Sequence, residues 1–211
     1  MSVAIDPLGN VQDCADAAFV AIGSGDVESY QQLCGSALSR FTAGAEGLNA
    51  LSIAGMLLAA PQNEVVMRVA NELIDRVEEA GDFSKDVETG IREWLQFRNG
   101  NVAEAATLWL KASGSPVTPS LIARARRFEY AKAVIGFRSA LSFAQLGRTN
   151  EARQAYAEAA KILGPAASAE KPRDLGESYA RWYLAEAHRR EAEQFFKAKG
   201  IAMPADTFPS K

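Results

Sequence analysis

The chain has 211 residues, is 48% hydrophobic and carries a net charge of −3, which is long enough to bury a core without disulfide or metal staples. Its mild acidity offers no clustered positive charge to release counterions from phosphates, so nucleic acid and anionic membrane surfaces are poor partners. No run reaches the ~18 consecutive apolar residues of a membrane helix, and MSVAIDPLGN lacks the basic start and apolar stretch of an export signal. No membrane insertion is expected, and a chain standing alone would be cytoplasmic.

Alanine-rich segments with apolar residues three and four apart fill the sequence, and paired alternating runs around Asn-Gly or Asp-Gly turns are missing, so the fold class is all-α. The first helix is predicted over Val11 to Ile22, stopped by a GSGD turn at Gly23 to Asp26, and Asp26 caps a second helix carrying Tyr30, Leu33, Ala37, Leu38 and Phe41. LNALSIAGMLLAA is apolar nearly all round, which places it between neighbours until Pro61 ends it. NEVVMRVANELIDRVEEA sets Val65, Val69, Leu73 and Val77 along one stripe, and Gly81 closes it. SKDVETGIREWLQFRNG takes Ser84 as its N-cap and turns Val87, Ile91, Trp94 and Leu95 inward, and NVAEAATLWLKASG follows across a very short turn.

SGSPVTPS breaks the chain, with Thr118 or Ser120 to cap a long helix from about Leu121 toward Leu146. GPAASAEKPRD has the composition of a loop. A last helix is expected from about Gly176 to Lys199, then a loosely held tail at 201–211. Cys14 and Cys34 fall on facing helices, where a bridge is possible but two buried thiols are the commoner case.

Two stretches share one pattern. In ALSFAQLGRTNEARQAYAEAAKILG, Ala140 is small where backbones approach, Phe143 fills the gap, Gly147 lets the chain leave the helix in a left-handed conformation, and Ala152, Tyr156 and Ala159 repeat small, large, small. In RNGNVAEAATLWLKA, Gly100, Glu104, Ala105, Trp109 and Ala112 stand at the same offsets as Gly147, Glu151, Ala152, Tyr156 and Ala159. This pattern resembles the tetratricopeptide repeat, a helical hairpin of roughly 34 residues, with the clearest copies at about 86–116 and 133–165. The departure is Glu93 and Gln96, which occupy places that the family fills with a small residue and an aromatic.

Residues 30 to 196 as a whole, ending in DLGESYARWYLAEAHRREAEQFF, are similar to the C-terminal tetratricopeptide region of a group of bacterial serine/threonine protein kinases. The resemblance implies one domain over 1–200: a right-handed α-solenoid of stacked antiparallel helix hairpins, closed by a long C-terminal helix. It also implies a noncatalytic protein-interaction module, one setting for which is the regulatory or sensory region of a larger kinase whose catalytic motifs lie elsewhere. No glycine-rich phosphate loop, His-Arg-Asp or Asp-Phe-Gly segment stands in these residues.

Candidate binding residues follow from chemistry. Arg124, Arg126 and Arg127 form the densest basic run and suit an acidic peptide or a terminal carboxylate, the plainer alternative being a solvated face neutralised by Glu129. Tyr130, Tyr179, Trp182 and Tyr183 are aromatics with polar handles, and three so close on one terminal helix cannot all face one neighbour. His188, the single histidine, has no converging partners in the sequence and is expected to be solvated or partly packed. No catalytic residue, cofactor or metal is assigned. The expected partner is a protein or peptide, with a homodimer through the terminal helix as the alternative and a small-molecule receptor behind it.

Overall fold

The computed structural model describes residues 9–81, 83, 85–113, 126–163 and 179–204, and at 85, 86, 109–113, 126–129 and 131 the backbone alone. Among the described residues every regular element is a helix: α1 (Val11–Ser24), α2 (Val27–Arg40), α3 (Gly47–Leu58), α4 (Glu64–Ala80), α5 (Lys85–Arg98), α6 (Val102–Ser113), α7 (Arg126–Gln145), α8 (Thr149–Leu163) and α9 (Tyr179–Lys199). None of them is long and apolar enough to cross a membrane.

Local chemistry sets the ends. Asn10, Asp26 and Asn63 each accept a hydrogen bond from the backbone N–H three residues on, satisfying a donor that the first turn of a helix leaves open. Gly25, Gly100, Gly147 and Gly200 follow four different helices with φ between 67° and 90°. At each, the next residue's N–H reaches back five residues, Asp26 to Ala21, Asn101 to Gln96, Arg148 to Phe143 and Ile201 to Phe196, all at 2.9 Å. This is the Schellman closure, and it requires the left-handed conformation that a side chain disfavours. The pairing of Gly100 with Gly147 read from the sequence is thus a shared turn geometry.

Helices joined by these tight turns pack on each other: α1 on α2, α5 on α6 and α7 on α8, with α3 on α4 across the Pro61 link. The first helices of the pairs, α1, α3, α5 and α7, touch in chain order. Along α8, Ala152, Tyr156 and Ala159 are buried as the repeat pattern requires. The closest approach of α7 and α8 lies at Gly136, where an added Cβ would stand 2.8 Å from the Cβ of Ala159. Arg92 pins α5 to α4 by hydrogen-bonding Asn71, Asp75 and Glu78.

Some readings change. Helix α1 continues through Gly23 and Ser24, and it is Gly25 that turns the chain. Val65 is 60% exposed and Val87 39%; the buried stripe of α4 runs instead through Val66, Met67, Ala70, Leu73, Ile74 and Val77. Each valine stands beside a buried neighbour, Val66 at 8% and Glu88 at 4%, so it lies off the covered face of its helix. A helix closing only the end of a stack would touch the last pair; α9 packs on α7 and α8 and also on α1, the first helix of the chain. The Ser84 cap, the Thr118 or Ser120 cap, the GPAASAEKPRD segment and most of the tail lie outside the described residues, as does the side chain of Trp109.

Candidate functional site

Helix α9 carries the polar run EAHRREAE, yet one side of it is enclosed: Ala180, Trp182, Leu184, Ala185, Glu186, His188, Ala192 and Phe196 are all buried. A missing side chain makes room for it. A Cβ built on Gly23 of α1 would lie 2.3 Å from the carbonyl oxygen of Tyr183 and 2.6 Å from its Cβ, so only glycine permits this approach of backbones. At the other end Phe196 packs against Tyr156, whose hydroxyl donates to Glu193 Oε1 at 2.6 Å and whose ring meets Phe137 edge-on.

Between these apolar ends lies a polar centre built by α5, α7 and α9. The Arg98 guanidinium donates to both carboxylate oxygens of Glu191, at 2.5 and 2.9 Å, and two further N–H groups reach the carbonyls of Leu58 and Ala59 at the end of α3. Trp94, one turn before Arg98, meets the His188 ring edge-on with centroids 5.0 Å apart. The Arg138 guanidinium stacks 4.4 Å over the Trp94 ring and lies 3.4 Å from Glu93. Three helices are therefore tied through one tryptophan and two arginines.

Burial governs the electrostatics. His188 is wholly buried, which pushes its pKa down to about 4, with Arg98 and Arg138 opposing protonation and Glu191 favouring it. Its Nδ1 lies 3.5 Å from Glu191 Oε2, close enough to attract but outside hydrogen-bond geometry. Burial raises the Glu191 carboxyl, but its contacts with His188 and Arg98 outweigh that and hold it down to about 2. Burial also pushes the Glu93 carboxyl up and the Arg138 guanidinium down, each partly restored by the other.

Five side-chain atoms of this centre have no hydrogen-bond partner among the described residues: Glu93 Oε1, Trp94 Nε1, Arg138 Nε and both ring nitrogens of His188. Ser142 Oγ, one turn beyond Arg138 on α7, is in the same position. A buried orphan costs about 1–3 kcal/mol, so this many together would consume a stability on the order of a whole domain's 5–15 kcal/mol.

The sequence candidates are scattered. Arg124 lies outside the described residues, and Arg126 and Arg127 begin α7 with side chains that are not described. Tyr130 is half-buried and packs on the core. Trp182 is 6% exposed and meets the half-buried Tyr183 edge-on, while Tyr179 is 41% exposed. The expectation that His188 is solvated or partly packed is overturned, because it lies on the enclosed side of α9. One signal for the centre does stand in the sequence: Glu93 replaces the small residue of the repeat pattern, and that is the carboxylate facing Arg138. Nothing local marks Arg138 or His188 as its neighbours.

An open groove of about 430 Å³ adjoins this centre at Arg98 and is lined further by residues including Gln62, Met67, Arg68 and Asn71. Cys14 and Cys34 are free thiols, and burial raises both, Cys34 to about 11. Among the described residues no group of three or more His, Cys, Asp or Glu is placed to hold a metal. Comparison with known proteins finds no matching family model, curated protein or solved structure.

Proposed function

We propose that the chain is a noncatalytic protein-interaction module: a tetratricopeptide-like stack of helix hairpins whose inner row of helices accepts a helix. The observation that carries this reading is the seat of α9. It lies on α1 and α7 and reaches α5 through His188 and Glu191, so a helix already rests on the row formed by the first helix of each pair. The order of contacts supports a solenoid, since α1, α3, α5 and α7 follow one another as stacked hairpins would. A buried polar centre in place of a continuous apolar seam is the kind of feature that selects one register and one partner.

The resemblance to kinase-linked repeat regions makes a regulatory region the natural setting, with the basic start of α7 as the contact for an acidic peptide. The test is capture from source cells with the full chain and with a variant carrying Arg124→Glu, Arg126→Glu and Arg127→Glu, both checked by circular dichroism and light scattering. A partner retained by the first and lost by the folded variant supports the reading. No specific partner for either, with dimeric masses for both, replaces it with self-assembly.

A further inference from the structure

The polar centre beneath α9 is more than a set of ion pairs, because among the described residues its pairs leave donors and acceptors over. Arg138 Nε and Trp94 Nε1 can only donate, Glu93 Oε1 can only accept when ionised, and a neutral imidazole supplies one of each. The residues that carry these atoms are in mutual contact: Arg138 lies over the Trp94 ring and beside Glu93, and Trp94 meets His188. An occupant that satisfies them must both donate and accept.

Charge and access narrow it further. Arg98 already faces the Glu191 carboxylate and Arg138 faces Glu93, so neither guanidinium stands free to hold an anion. Glu93, Trp94, Arg138 and His188 are each at most 4% exposed, so the occupant is small and enters only when the helices part. We propose that the Glu93–Trp94–Arg138–His188 centre is a binding site for internal water, held between α5, α7 and α9 as a structural ligand. Such water makes several hydrogen bonds to groups that the fold leaves unsatisfied and is part of the structure. It bridges the stack to α9 and gives the polar face of α9 one favoured register.

The test uses the full chain labelled with ¹⁵N. The indole signal of Trp94, identified by its loss in Trp94→Phe, is examined for direct magnetisation transfer to water in a rotating-frame experiment. Ser142→Ala removes relay through the hydroxyl. The expected result is a water cross-peak of the sign of a long-lived bound water, kept in Ser142→Ala and lost in folded His188→Phe. No cross-peak in the folded wild-type chain overturns the proposal, as does one that vanishes in Ser142→Ala. A crystal structure at a resolution that shows ordered water gives a second reading independent of any variant: water bonded to at least two of these side chains supports the site, and dry packing of all four overturns it.

Discussion

Because His188 is the single histidine of the chain, its burial predicts a pH dependence that can be assigned to one residue. Its pKa is about 4 in the folded protein against 6.5 for a free imidazole, so between those values the unfolded chain binds a proton that the folded chain does not. Stability therefore rises with pH through this window and falls on acidification. Linkage over the whole interval amounts to about 3 kcal/mol, of which about 2 kcal/mol is lost between pH 7 and pH 5. Glu191 lies outside that range: its carboxyl is held down to about 2, so its contribution is full above the ordinary carboxylate range and is lost only as pH falls toward 2. Glu93, whose carboxyl is pushed up, acts in the opposite sense, favouring the folded state as pH falls. The assay is urea unfolding followed by circular dichroism at pH 7 and pH 5 for wild type and His188→Phe, which keeps an aromatic ring against Trp94. The variant should lose about 2 kcal/mol less than wild type on acidification. Equal losses in the two chains would refute the enclosure of His188 by α9.

Three further outcomes follow from the packing. Gly23→Ala forces a methyl group against the Tyr183 backbone and should cost about 1–3 kcal/mol, read as a lower unfolding midpoint, with faster hydrogen exchange in α9 than in α4. Gly147→Ala meets no atom within 4 Å but holds φ at 73°, so about 1 kcal/mol of backbone strain is expected, with exchange in α9 unchanged relative to the rest. Glu191→Gln leaves the 3%-exposed Arg98 side chain without its carboxylate; because Glu191 is itself 29% exposed and two carbonyls still accept from Arg98, the expected loss is about 2 kcal/mol, below that of a fully buried pair. Chemical denaturation at pH 7 checks it, and a loss within error of zero would mean that the pair is solvated.

What could be read along the chain and what could not divides at the range of the interactions involved. Asp26 as a cap and Gly81, Gly100 and Gly147 as left-handed ends depend on atoms a few residues away, so spacing reveals them. The inward positions of Ala152, Tyr156 and Ala159 follow from a helical period with one dominant apolar face. The same logic misplaced Val65 and Val87, because period alone does not say which of two adjacent positions, such as Val65 and Val66, the neighbouring helices cover.

The sequence by itself determined that the chain is helical, where most helices stop, and that two hairpins share a turn, since propensity, capping and periodicity are local properties of the polymer. Only the tertiary structure decided that α9 lies across α1 and α7, that Gly23 is a place of contact within a helix, and that His188 is sealed against Trp94. Each of these depends on residues far apart in the chain: Gly23 and Tyr183, Trp94 and His188, Arg98 and Glu191. A glycine inside a helix reads as a turn until a second backbone is found against it, and a polar helix reads as exposed until its charges are matched from the other side.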